Sequence, residues 1–280
     1  MLLRRALTNE QSNALQIVVH VAGTISSLSG LGFFAVLYRD KSLQTPINYL
    51  VCWMEMADFI ISVCLGLGLA PLGNAIACYA QGIFVEFSFV AAANWNFVIA
   101  LHCYLTVCSK KSSVSGNDRI FICYHLYAWG TAVFFTGSMF LVEKVLQRGP
   151  IIGSATLECW ISSNYKEYRV YLFYAMLWVQ FVVGLILYFL VFLKVNAQAK
   201  TMVSSSSTGL TKSKKVIVMK AVAFAAVQFI SWLPASASRI LVIYNQPIPF
   251  WLYCLQAITG NGILSFLVPD QTLSTYPRPT

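Results

Sequence analysis

Residues 170–195 read VYLFYAMLWVQFVVGLILYFLVFLKV, 26 positions with one charged side chain, Lys194, next to the last. As a helix rising 1.5 Å per residue the stretch is about 39 Å long, more than the hydrocarbon core of a bilayer at roughly 30 Å. It reads as a membrane-spanning helix. Working outward, six more apolar runs of comparable length occupy residues 15–38, 47–69, 76–107, 120–142, 216–244 and 249–268. The joins between them are polar or carry breakers, such as Pro71-Leu72-Gly73-Asn74. Of 280 residues 58% are hydrophobic and only 10% charged, whereas a soluble domain carries roughly 25% charged residues. That composition excludes a soluble enzyme. The first run exceeds the roughly 7–15 residues of a signal-peptide core, and no small-residue cleavage site follows it, so it is a retained helix. The sequence predicts an all-α membrane protein: a short extracellular segment over 1–14, one seven-transmembrane helix bundle over 15–268, and a short cytoplasmic tail over 269–280.

Orientation follows from the basic residues, which stay on the cytoplasmic side of short loops. The first, third and fifth joins with their borders hold eleven: Arg39, Lys41, Lys110, Lys111, Arg119, Lys194, Lys200, Lys212, Lys214, Lys215 and Lys220. The amino terminus and the other joins hold six, Arg4, Arg5, Lys144, Arg148, Lys166 and Arg169, partly offset by Glu143, Glu158 and Glu167. The amino terminus is therefore expected outside and the carboxyl terminus inside. The net charge of +9 then describes a cytoplasmic face able to meet anionic lipid, and a nucleic-acid partner is not expected.

Most of the eight cysteines fall within spans or at their ends and act as small apolar fillers. Cys78, at the outer start of the third span, and Cys159, in the long fourth join, both lie on the oxidising side. A Cys78–Cys159 disulfide would pin the outer loop to the top of the third helix; the alternative is two free thiols. His20, His102 and Cys103 have neither ligand spacing nor a carboxylate partner, so no metal, cofactor or catalytic site is expected.

Ionisable residues inside a span are costly and mark candidate functional positions. Asp58 lies roughly 16 Å deep in the second span and Glu55 one turn nearer the cytoplasm on the same face. They form either a polar network that rearranges in switching or a satisfied structural core. Glu86 in the third span and Arg239 in the sixth lie at compatible depths. They read as an ion pair, as a site where Arg239 grips an anionic ligand group, or with Arg239 snorkelling to the interface. Phe84, Phe87, Phe89, Trp232 and Tyr244 could wall a pocket there or simply pack.

The chain resembles the G-protein-coupled receptors, and within them the cyclic-AMP-receptor-like branch that includes the slime-mould chemoattractant receptors and their plant, animal and fungal relatives. The resemblance rests on Ala57-Asp58, Cys78-Tyr79-Ala80-Gln81-Gly82, Trp95 with Ile99-Ala100-Leu101, and His125-Leu126-Tyr127-Ala128-Trp129-Gly130. It continues through Cys159-Trp160, Phe173-Tyr174 with Leu177-Trp178, and Ser231-Trp232 followed by Arg239-Ile240. It implies a plasma-membrane receptor that takes an extracellular small-molecule ligand and signals to a heterotrimeric G protein, with a link to cyclic AMP. Glu86, Arg239, Trp232 and Tyr244 are then the candidate ligand residues, and Glu55, Asp58 and Trp95 a candidate switch network. The candidate G-protein surface is Lys110, Lys111, Lys194, Lys200, Lys212, Lys214 and Lys215. Residues 203–215 (VSSSSTGLTKSKK) read as a linker, phosphorylated in desensitisation or left unmodified.

Three departures stand against the pattern. Leu101-His102-Cys103-Tyr104-Leu105 ends the third span without Asp-Arg-Tyr, which the cyclic-AMP-receptor-like branch also generally lacks, Ser265 stands where Asn is usual, and only 12 residues follow Val268. The last fits a truncated, non-signalling receptor or unusual coupling. A microbial-rhodopsin-like pump would need a lysine in residues 249–268, which hold none. A seven-span solute transporter remains the alternative, although the internal repeats it would carry are not found.

Overall fold

The computed structural model describes residues 8–43, 45–108, 118–155, 157–202, 227, 229–242, 244 and 246–260. Among these residues the α-helices are, in chain order, α1 (Asn9–Arg39), α2 (Pro46–Gly66), α3 (Ala75–Cys108), α4 (Asp118–Leu146), α5 (Ala175–Met202), α6 (Phe229–Val242) and α7 (Phe250–Thr259). Among the described residues, five helices are long and apolar enough to cross a membrane, and α6 and α7 are shorter apolar helices.

The helix starts are written in local chemistry. The Thr8 side chain accepts from the Gln11 backbone N–H while Gln11 Oε1 accepts from the Thr8 N–H, both at 3.1 Å. This reciprocal cap extends α1 six residues ahead of the apolar run that begins at Leu15. Thr45 caps α2 with Pro46 at its first position. The Asn74 carboxamide oxygen accepts from Ile76 and Ala77 N–H at 3.0 and 3.2 Å, starting α3.

α3 is the axis of the bundle. It packs on α2, α4, α5 and both strands of a hairpin, and 56% of its most apolar stretch is buried against 22% for α4. The α1–α2 crossing is close because neither helix carries a Cβ at its contact: one added to Gly23 would overlap the Cα of Gly66. α7 packs against α1.

The long fourth join folds into two short antiparallel strands, β1 (Ile152–Ser154) and β2 (Cys159–Ile161), with Ile152 opposite Ile161 and Gly153 opposite Trp160. A disulfide joins Cys78 at the top of α3 to Cys159 in β2, with Cα atoms 5.4 Å apart. Gly82, one turn below Cys78, lets Ile152 lie directly on α3, where a Cβ would collide with it. A π-helical turn, Val170–Tyr174, leads into α5, whose helix runs past Val195 to Met202.

Candidate functional site at the disulfide end

Gln81 fastens the hairpin to the bundle. Its side-chain NH2 donates to the carbonyls of Cys64 and Gly68 at 2.6 and 2.9 Å, and its oxygen accepts from the Cys159 N–H at 3.0 Å. Disulfide and Gln81 together hold β2 over the centre of the bundle. Trp160 is thereby driven in to 1% exposure, and its indole N–H donates to Glu86 Oε2 at 2.6 Å. Two guanidiniums lie against its ring, Arg169 at 5.6 Å and Arg239 at 5.2 Å from the centroid, an arrangement that draws on the ring's quadrupole.

Glu158 turns inward from the segment between the strands and is 2% exposed. Its carboxyl lies outside the spans, and burial pushes its pKa up to about 7 against the opposing pull of Arg239 and Arg169. Arg169 donates from Nε (2.8 Å) and from Nη2 to the Ile161 carbonyl and so clamps β2. Arg239 stands beside the Tyr174 hydroxyl, and its Nε makes no hydrogen bond. Glu158, Trp160, Tyr174, Trp232, Arg239 and Gln256 line a cavity of about 20 Å³, room for about one water molecule. Trp232 packs on Phe89 and Phe173, each at 5.1 Å. Gln256 accepts from Ser238 at 2.8 Å, tying α7 to α6.

Of the residues singled out by sequence, Arg239 and Trp232 meet in this cavity. Glu86 is fully buried against Trp160 without lining the cavity, and Tyr244 is 72% exposed at the end of α6. An ion pair between Glu86 and Arg239 does not form, whereas Arg148 pairs with Glu167 at the surface. The hairpin is the cause, since its Trp160 takes the Glu86 carboxylate and its Glu158 comes to Arg239. Glu55 and Asp58 are both buried in α2. The Trp95 ring, also buried, stacks with Trp53 and meets His125 and Trp129. Lys194 is exposed on α5 and Lys200 lies on its last turns. Lys110, Lys111, Lys212, Lys214, Lys215 and the 203–215 linker lie outside the described residues. Among the described residues no group of three or more His, Cys, Asp or Glu could hold a metal ion.

The chain matches the family "7 transmembrane receptor (rhodopsin family)" over residues 32–259. It belongs to that family. It is 31% identical over 177 residues to G-protein coupled receptor 1 of Arabidopsis thaliana, covering 61% of this chain and 49% of the relative. It is 24% identical over 221 residues to Cyclic AMP receptor 4 of Dictyostelium discoideum, covering 75% of this chain and 46% of the relative. The chain thus spans about half the length of either. In fold it is similar to the crystal structure of squid rhodopsin, with a TM-score of 0.67 at 15% identity, covering 94% of this chain and 85% of that one.

Two features of this seven-transmembrane receptor escaped the sequence. Glu158 read as a loop charge offsetting nearby lysines, because nothing local shows that its loop folds into the bundle. The second lies deeper: Gln180 donates to Asn94 Oδ1 at 2.7 Å and to the Tyr127 hydroxyl at 2.8 Å, while Asn94 donates to the Ala128 carbonyl at 2.9 Å. This network ties α3, α4 and α5 together at membrane depth. Its signal was available, since Asn94 and Gln180 are carboxamides inside apolar runs, which need partners there.

Proposed function

We propose that this receptor is activated by an extracellular small molecule at its disulfide end and signals from the opposite end to a heterotrimeric G protein. The observation that carries the reading is the cavity under the hairpin. Charged, aromatic and amide side chains from α3, the π-helical turn ahead of α5, α6, α7 and the loop converge there, so a ligand touching them contacts the elements whose relative position sets the state of the bundle. In this reading residues 15–268 form one seven-span unit in the plasma membrane, with the amino terminus outside and the carboxyl terminus inside, as the basic residues favour. Arg239 and Trp232 are the ligand contacts of the sequence set, and Glu86 acts through Trp160. The lysines at 110, 111, 194, 200, 212, 214 and 215 form the G-protein face, and Glu55, Asp58 and Trp95 the switch between the two ends. Similarity to the plant and slime-mould receptors supports placement in the cyclic-AMP-receptor-like branch, with signalling linked to cyclic AMP.

Energetically the ligand acts by binding one arrangement better than another, and it can shift the equilibrium only by that difference. The test is a ligand screen read by nucleotide exchange on a Gα subunit, run on this chain and on one extended by a longer tail. Ligand-stimulated exchange is expected. Solute uptake into proteoliposomes without a G protein, and no exchange with either chain, would make it a transporter instead.

A further inference from the structure

The cavity brings together two polar atoms of opposite sense. Arg239 Nε is a donor without an acceptor and Glu158 Oε2 an acceptor without a donor. Both side chains are more than nine-tenths buried, at 6% and 2% exposure, and both line the same space. Buried groups of this kind are costly to leave unmade, so they mark where a ligand repays most. The two arginines differ in availability. Arg169 is committed to the Ile161 carbonyl through two of its nitrogens, whereas Arg239 has its Nε edge to offer. Across the loop, two guanidiniums face one Glu158 carboxyl, while Glu86 is engaged by the Trp160 N–H. Into the cavity itself Arg239 brings a guanidinium edge and Glu158 a carboxyl oxygen, and Phe89, Tyr174 and Trp232 add aromatic wall beside the apolar Val19, Leu65 and Leu157.

Resting on the reading of the chain as a receptor for an external ligand, we propose that the ligand is a small organic anion with a hydrogen-bond donor adjacent to its anionic group and an aromatic or flat apolar body. Arg239 grips the carboxylate or phosphate oxygen through Nε, Glu158 Oε2 accepts from the neighbouring hydroxyl or ammonium, and the body lies on Phe89 and Trp232. Guanidinium geometry suits such an oxyanion. Because the cavity has room for only about one water, entry of the anionic head expands it, and the expanded arrangement is the one the ligand favours.

The probes are aromatic 2-hydroxy and 2-amino carboxylates and aromatic phosphate monoesters, the same acids capped as methyl esters, and the same acids lacking the adjacent donor. Binding is read as the shift in thermal unfolding midpoint of the full chain in lipid nanodiscs, and signalling as nucleotide exchange on Gα. Donor-bearing acids should raise the midpoint and their esters should not. Arg239→Gln should weaken the acids by roughly 10–100-fold, with Arg239→Lys intermediate. Glu158→Ala should abolish the advantage of donor-bearing over donor-less acids while leaving both able to bind. Arg239→Lys keeps the charge, so a misfolded Arg239→Gln would not remove the test. Esters binding as well as acids, acids binding Arg239→Gln as tightly as wild type, or binding by no probe would overturn the proposal. Acids that bind through Arg239 without exchange would sustain the ligand chemistry and sink the signalling reading. Exchange evoked by the neutral esters alone would do the reverse.

Discussion

Glu158 carries a carboxyl whose ordinary pKa of 4.5 is pushed up to about 7 by burial. Arg239, Arg169 and Tyr174 are the charged and titratable neighbours that α6, the residue ahead of the π-helical turn and that turn itself bring to it. The folded protein holds this proton more tightly than the unfolded chain. Its contribution to stability is therefore fully present below about pH 4.5 and lost as pH rises through about 7, on the order of 3 kcal/mol in total. In thermal unfolding scans between pH 5 and 8, wild type should lose stability with rising pH and Glu158→Gln should lose much less. A parallel slope in the two proteins would mean that this carboxyl is not the group responsible. The cysteine pair acts at the same scale. Cys78→Ser and Cys159→Ser each release β2 from α3 and should lower the amount of receptor reaching the cell surface; normal surface levels for both would show the hairpin stays seated without the bond.

Between elements, the positions that matter are those where backbones or loops approach closely. Gly23→Val should force α1 away from Gly66 in α2 and cost about 1–3 kcal/mol by overpacking. Gly32→Val on the same helix, where an added Cβ meets nothing within 4 Å, is the matched control and should be neutral in the same melts. Equal effects of the two would mean the α1–α2 crossing does not depend on the glycine contact. The elements also show what a sequence can and cannot announce. The five long helices were readable because each is a continuous apolar run set off by polar joins. The hairpin was not, because strands of three residues are too short to display a two-residue alternation, and the disulfide and Gln81 that hold β2 against α3 come from far along the chain. The π-helical turn before α5 likewise leaves no compositional trace. At the site, Arg239 stood out as a charge inside an apolar run, but its neighbour could not be chosen. The choice between Glu86 and Glu158 depends on a loop that returns from 80 residues along the chain, and only its folded path puts Trp160 between them.

For the whole molecule, charge placement ties fold to function. A chain with few ionisable groups concentrates several of them, Glu86, Glu158, Arg169 and Arg239, around one indole at the disulfide end, while Lys194, of the coupling surface proposed above, is exposed on α5. The chain belongs to the rhodopsin family, and in the proposed reading the residues at the disulfide end set what it senses. The most direct test is nucleotide exchange on Gα measured with this chain in nanodiscs, comparing wild type with Arg239→Gln across the acid probes. Acid-stimulated exchange in wild type that is lost or displaced to higher concentration in the variant is the predicted result. Exchange that responds equally in both proteins would contradict the assignment of the cavity under the hairpin as the place where the signal begins.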